Sequence, residues 1–127
     1  MPGSLSRALC LAMCAVLLAA MPAAASGGVR KRGDCSGGEG GWELRVDRVD
    51  RDTLRIRFRI DDVDAGETWQ LFISDNGTRV YSGTKRATSD GEVRIRRAIR
   101  DRAGTDKVAA SGVNVNDGTT CQGSVAF

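Results

Sequence analysis

Leu54-Arg55-Ile56-Arg57-Phe58-Arg59-Ile60 alternates without a break between apolar and cationic side chains. In an extended chain a period of two puts every apolar residue on one side and every arginine on the other. The stretch therefore reads as a half-buried β-strand. The same period continues on both sides. Upstream, Trp42, Leu44 and Val46 alternate with Glu43, Arg45 and Asp47. Downstream, Trp69, Leu71 and Ile73 alternate with Gln70 and Phe72, and Val93 and Ile95 with Arg94 and Arg96. Val108 and Ala110 open another run, and Cys121, Gly123, Val125 and Phe127 end the sequence. Asp, Gly, Asn and Ser turns bound each run, and no stretch supports a long helix. Strands recurring at this spacing predict an all-β fold, an antiparallel sandwich of about seven strands over residues 42–127.

Two hairpins can be registered. Asn76-Gly77 is a strong two-residue turn signal, which pairs Ile73 with Val80 and Phe72 with Tyr81. Asp117-Gly118 pairs Ala110 with Val125 and Val108 with Phe127, placing Val108, Ala110, Cys121, Val125 and Phe127 on one core-facing side. Asn76-Gly77-Thr78 also matches a glycosylation sequon, but the turn accounts for it.

The beginning of the sequence has a different character. Ala8 to Ala20 is an apolar run of 13 residues after the single charge of Arg7, too short to cross a bilayer and suited to a signal-peptide core. Ala23-Ala24-Ala25 supplies a cleavage pattern, so residues 1–25 read as a removed leader and the protein as secreted and extracellular. Leu11-Ala12-Met13-Cys14 superficially resembles a lipidation box, but Met13 is too bulky for it. The mature chain of about 102 residues makes one domain. Residues 26–41, with seven glycines around Arg30, Lys31 and Arg32, read as a flexible basic arm.

Cleavage removes Cys10 and Cys14 and leaves Cys35 and Cys121, whose one intramolecular pairing is a structural disulfide in an oxidising compartment. No Cys-x-x-Cys spacing points to a redox dithiol. Loss of Arg7 leaves 18 basic against 16 acidic residues, a net charge of about +2 that does not by itself argue for nucleic-acid binding. Histidine is absent, which excludes an imidazole general base, a Ser-His-Asp triad and imidazole metal ligation. No nucleophile–base pair stands out, so the chain reads as a non-enzyme without a cofactor. Asp61-Asp62-Val63-Asp64-Ala65-Gly66-Glu67 begins like a calcium loop. It lacks a third oxygen side chain before the glycine and a well-placed Glu beyond it, so it reads as a solvated turn, and no metal site is expected.

The order Cys35, Trp42, Trp69, Asn76-Gly77, Asp101-Arg102-Ala103-Gly104-x-Asp106 and Cys121 resembles that of small secreted Ig-like proteins of actinobacteria, over about Cys35 to Phe127. The resemblance implies an Ig-like or fibronectin III-like β-sandwich and an exported protein, and it implies no activity. Ala103-Gly104-Thr105-Asp106-Lys107-Val108 also resembles the corner before the sixth strand of an immunoglobulin domain. Asp106 stands in the place of the corner tyrosine and Val108 in that of the second cysteine.

In such a sheet the second strand (Leu54–Ile60) lies beside the fifth (Glu92–Arg96). Arg55, Arg57, Arg59, Arg94 and Arg96 then project from one solvent face. Like charges facing one another cost stability, so either the face docks a polyanion such as a wall polymer, or Glu43, Asp47 and Glu92 neutralise it. The opposite sheet would present Gln70, Phe72 and Tyr81 among small uncharged neighbours, a surface suited to another secreted protein or to a sugar. The first expectation is thus a non-catalytic binding module for an anionic cell-surface polymer, and the second a protein-interaction module.

Overall fold

The computed structural model describes residues 27–127. The leader expected over 1–25 lies outside them. Eight strands follow in order: β1 (Val29–Asp34), β2 (Gly41–Arg48), β3 (Thr53–Asp61), β4 (Thr68–Asp75), β5 (Thr78–Arg86), β6 (Val93–Arg100), β7 (Lys107–Asn114) and β8 (Thr120–Ala126). They form two four-stranded antiparallel sheets, β1-β2-β3-β6 and β5-β4-β7-β8. From β2 onward the chain changes sheet after β3, β5 and β6, the connectivity of an Ig-like sandwich of the fibronectin III type.

β3 shows why the alternating sequence folds this way. Leu54, Ile56, Phe58 and Ile60 are buried while the arginines between them remain half-exposed. Leu44 and Val46 of β2 join them from one sheet, and Trp69, Leu71, Ile73 and Val108 from the other, all fully excluded from solvent. Burial of each such side chain contributes about 1.5–3 kcal/mol. The inward faces of both sheets therefore close on one core.

The segment expected to be a flexible arm, 26–41, is instead largely ordered where it is described. Residues 29–34 form β1 and pair with β2 from Val29 opposite Val46 to Asp34 opposite Gly41. This strand raises the count from about seven to eight. Composition misled here because an edge strand needs only backbone partners, and the free edge of β2 supplies them whatever the side chains are. Arg32 Nε adds a 2.7 Å bond to Glu43 across the pair. Cys35 follows immediately and is joined to Cys121 of β8, closing a separation of 86 residues and tying one sheet to the other. Ser36 and Thr120 exchange two backbone hydrogen bonds of 2.7 and 2.9 Å beside it.

Both hairpins form, and both depart from the expected register. Asn76 and Gly77 have φ of 49° and 83°, the two positive values that a type I′ turn requires. Asp75 and Ser74 meet Thr78 and Arg79 as predicted, but Ile73 then pairs with Tyr81 and Phe72 with Ser82. Val80 is the extra residue of a bulge. Val80 and Tyr81 are consecutive and apolar, so regular alternation would expose one of them. The bulge lets both pack against the core.

At the second hairpin Val108 pairs with Val125 and Ala110 with Gly123, two residues from the expected alignment. The loop spans five residues, 115–119, because Asn114 organises it. Its Oδ1 accepts the Asn116 and Asp117 amides at 2.9 and 3.4 Å. Gly118 alone adopts positive φ there, so Asp117-Gly118 is not a type I′ turn. A shift of two preserves sidedness, and the core-facing set holds.

Candidate anion-binding face

The outer surface of the β1-β2-β3-β6 sheet is built around β3. Arg57 stands directly between Arg45 of β2 and Arg96 of β6, and Arg59 between Glu43 and Arg94. Arg55 lies between Asp47 and Ala98. The five arginines expected to share a face, Arg55, Arg57, Arg59, Arg94 and Arg96, do share it. Cross-strand neighbours on one side of a sheet have Cβ atoms only about 4.5–5.5 Å apart, so three guanidinium groups in one row repel one another.

Two carboxylates on β2 relieve part of that repulsion. Asp47, 8% exposed, accepts from Arg45 Nε and from an Arg57 terminal nitrogen, both at 3.0 Å. Glu43 accepts from Arg32 at 2.7 Å and lies 3.5 Å from Arg59, which also approaches Asp61 at 3.4 Å. Glu92 holds Arg94 at 2.8 Å. The expected neutralising acids are thus in place, Glu43 and Asp47 on β2 and Glu92 just before β6. Arg55 and Arg96 have no carboxylate within pairing distance among the described residues. The positive stripe runs along β3 and the edge strand β6.

Arg45, Arg57, Arg59, Arg94 and Arg96 line a shallow cleft of about 200 Å³, with Glu43 as its one acid. The Nε atoms of Arg57 and Arg59 are shielded from solvent and have no acceptor. A buried donor left without a partner costs about 1–3 kcal/mol, so this packing of guanidinium groups is not favoured by folding alone. The arrangement can hold negatively charged groups. Sequence reasoning missed Arg45, although it alternates in the same period as β3, and Arg30 and Arg32, which are legible only once 29–34 is known to be a strand. No family model matches the chain, and no curated protein does.

The opposite sheet is not the surface that was expected. Gln70 and Phe72 do face outward, but Tyr81 pairs with Ile73 and faces inward. Its ring meets Arg97 at 5.6 Å where β5 and β6 approach one another. Gln70 spends its amide within the sheet, donating to Gly83 O and accepting from Thr84. Arg79 takes the place beside Phe72, with its guanidinium 4.2 Å from the ring centre, so this face carries charge.

The remaining acids are placed elsewhere. Glu67 accepts from Asn114 Nδ2 at 2.6 Å, and Asp61 pairs with Arg59, so the suspected calcium loop spends two of its acids on structural bonds. No group of three ligating side chains stands ready for a metal among the described residues. Asp106, at the corner, is fully excluded from solvent with neither carboxyl oxygen bonded to a donor. Burial, then the carboxyls of Asp101 and Asp75 beside it, push its pKa up to about 6. Asp101 is held below the usual range, first by the proton shared from Asp106 and then by Arg48.

Proposed function

We propose that this chain is a secreted, non-catalytic binding module that docks an anionic cell-surface polymer through the arginine face. The observation that carries the reading is the row Arg45–Arg57–Arg96 across three adjacent strands, beside buried guanidinium donors that lack acceptors. Facing arginines repel one another even with Asp47 bonded to Arg45 and Arg57, so a row of three fits a counter-charge supplied from outside. The disulfide supports an oxidising compartment. Among the described residues no helix is long and apolar enough to cross a membrane. The resemblance to secreted Ig-like proteins points the same way. A protein contact through paired Phe72 and Tyr81 loses its basis, because the two rings lie on opposite sides of their sheet.

The test is retention of the oxidised chain on purified wall polymer and on heparin across a salt gradient. Elution only well above physiological salt, lost in the double variant Arg57→Glu, Arg96→Glu, is the expected result. Flow-through at low salt removes the reading.

A further inference from the structure

The outer face of the β5-β4-β7-β8 sheet carries a groove of about 570 Å³, within the size range of small-ligand sites. Its floor is a row of small residues, Ser74, Ala109 and Ser124, set side by side on β4, β7 and β8. Ser111 and Gln122 stand opposite one another in the next row. Gly123 lets the floor lie low, since the Trp42 indole fills the space beneath it where a Cβ would sit. Arg79 and Lys31 stand at the rim, and no acidic residue lines the groove. Neither cation has a carboxylate partner among the described residues.

We propose that this groove is a second binding site, separate from the arginine face, for an acidic oligosaccharide whose carboxylate seats on Arg79. The guanidinium carbon already lies 4.2 Å from the centre of the Phe72 ring, a contact that restrains the side chain, so less freedom is lost when a carboxylate pairs with it. Lys31 supplies a second, mobile cation for a further acid group. Ser111, Ser124 and Gln122 offer hydroxyl and amide groups of the kind that pair with sugar hydroxyls. An extended peptide fits less well. β4 and β7 are paired on both edges, so their part of the floor offers no free backbone groups, and peptide amides seated over it would lose water without finding partners.

The experiment follows the backbone amide NMR signals of the oxidised full chain as an oligogalacturonide is added, and repeats the titration with its methyl ester, which keeps the skeleton and removes the charge. Expected are shifts at Ser111, Gln122 and Ser124 with the acid, and affinity at least about tenfold weaker with the ester. Arg79→Ala should remove the shifts without altering the rest of the spectrum, and Arg79→Lys should restore only part of the affinity. The double variant Arg57→Glu, Arg96→Glu should bind as before, which separates this site from the arginine face. The proposal is overturned if the groove amides do not move at millimolar acid, if the ester binds equally, or if binding follows Arg57 and Arg96 instead of Arg79. A hexaglutamate peptide that binds as tightly as the sugar acid overturns the oligosaccharide assignment.

Discussion

Asp106 is held where its charge is least welcome. Its folded-state pKa of about 6 lies above the ordinary aspartate value of about 3.9 that applies in the unfolded chain. Between those values the folded protein retains a proton that the unfolded chain has released. Its contribution is therefore complete below about pH 4 and is lost as pH rises through 6. Asp101 works in the opposite sense, since its lowered pKa favours folding above the ordinary carboxylate range and that share fades in acid. Asp106→Asn, similar in shape and uncharged, should raise the melting temperature by several degrees at about pH 8 and by much less near pH 4. Thermal melts across that range check it, and an unchanged difference at both ends would mean that the carboxylate is solvated. At Gly123 the constraint is steric. A Cβ there would lie 2.1 Å from the Trp42 ring, so Gly123→Ala should cost about 1–3 kcal/mol in urea unfolding.

At the scale of elements, the arginine row sets stability against binding. Replacing Arg96 by Glu places a carboxylate directly opposite Arg57. Folding stability should then rise by about 0.5–1 kcal/mol in dilute buffer, with the gain shrinking as salt is added, while polymer retention falls. A variant that weakens both would show that Arg96 serves packing. The strands themselves were legible wherever one residue type alternates with another, as in β3, because burial on a single face dictates the period. The pairing of β3 with β6, and hence the five-arginine face, followed from the expected strand order. The bulge at Val80 was not legible, since adjacent apolar residues give no sign of which one breaks the alternation. Nor was β1, whose partner is a backbone edge. The groove stayed hidden for a related reason, because the bulge turns Tyr81 inward from its expected place beside Phe72.

For the whole molecule, the disulfide is the longest-range constraint. Linking residues 86 positions apart should contribute about 4–5 kcal/mol by restricting the unfolded chain. Reduction, or Cys35→Ala with Cys121→Ala, should lower the stability measured by denaturant unfolding by most of that amount. A loss below about 1 kcal/mol would place the stabilisation in the core. The two sheets are therefore joined very unequally along their margins. At one margin β1, β2 and β8 are bound by a covalent link and by the Ser36–Thr120 exchange. At the other, β5 and β6 are spanned by Arg97 over Tyr81 and by Lys85 Nζ donating to Arg94 O at 3.0 Å. The sandwich thus behaves as a book with a sewn spine: its thermal openings start at the fore-edge, amide hydrogens of β5 and β6 exchange before those of β2 and β8, and a protease finds its first foothold there.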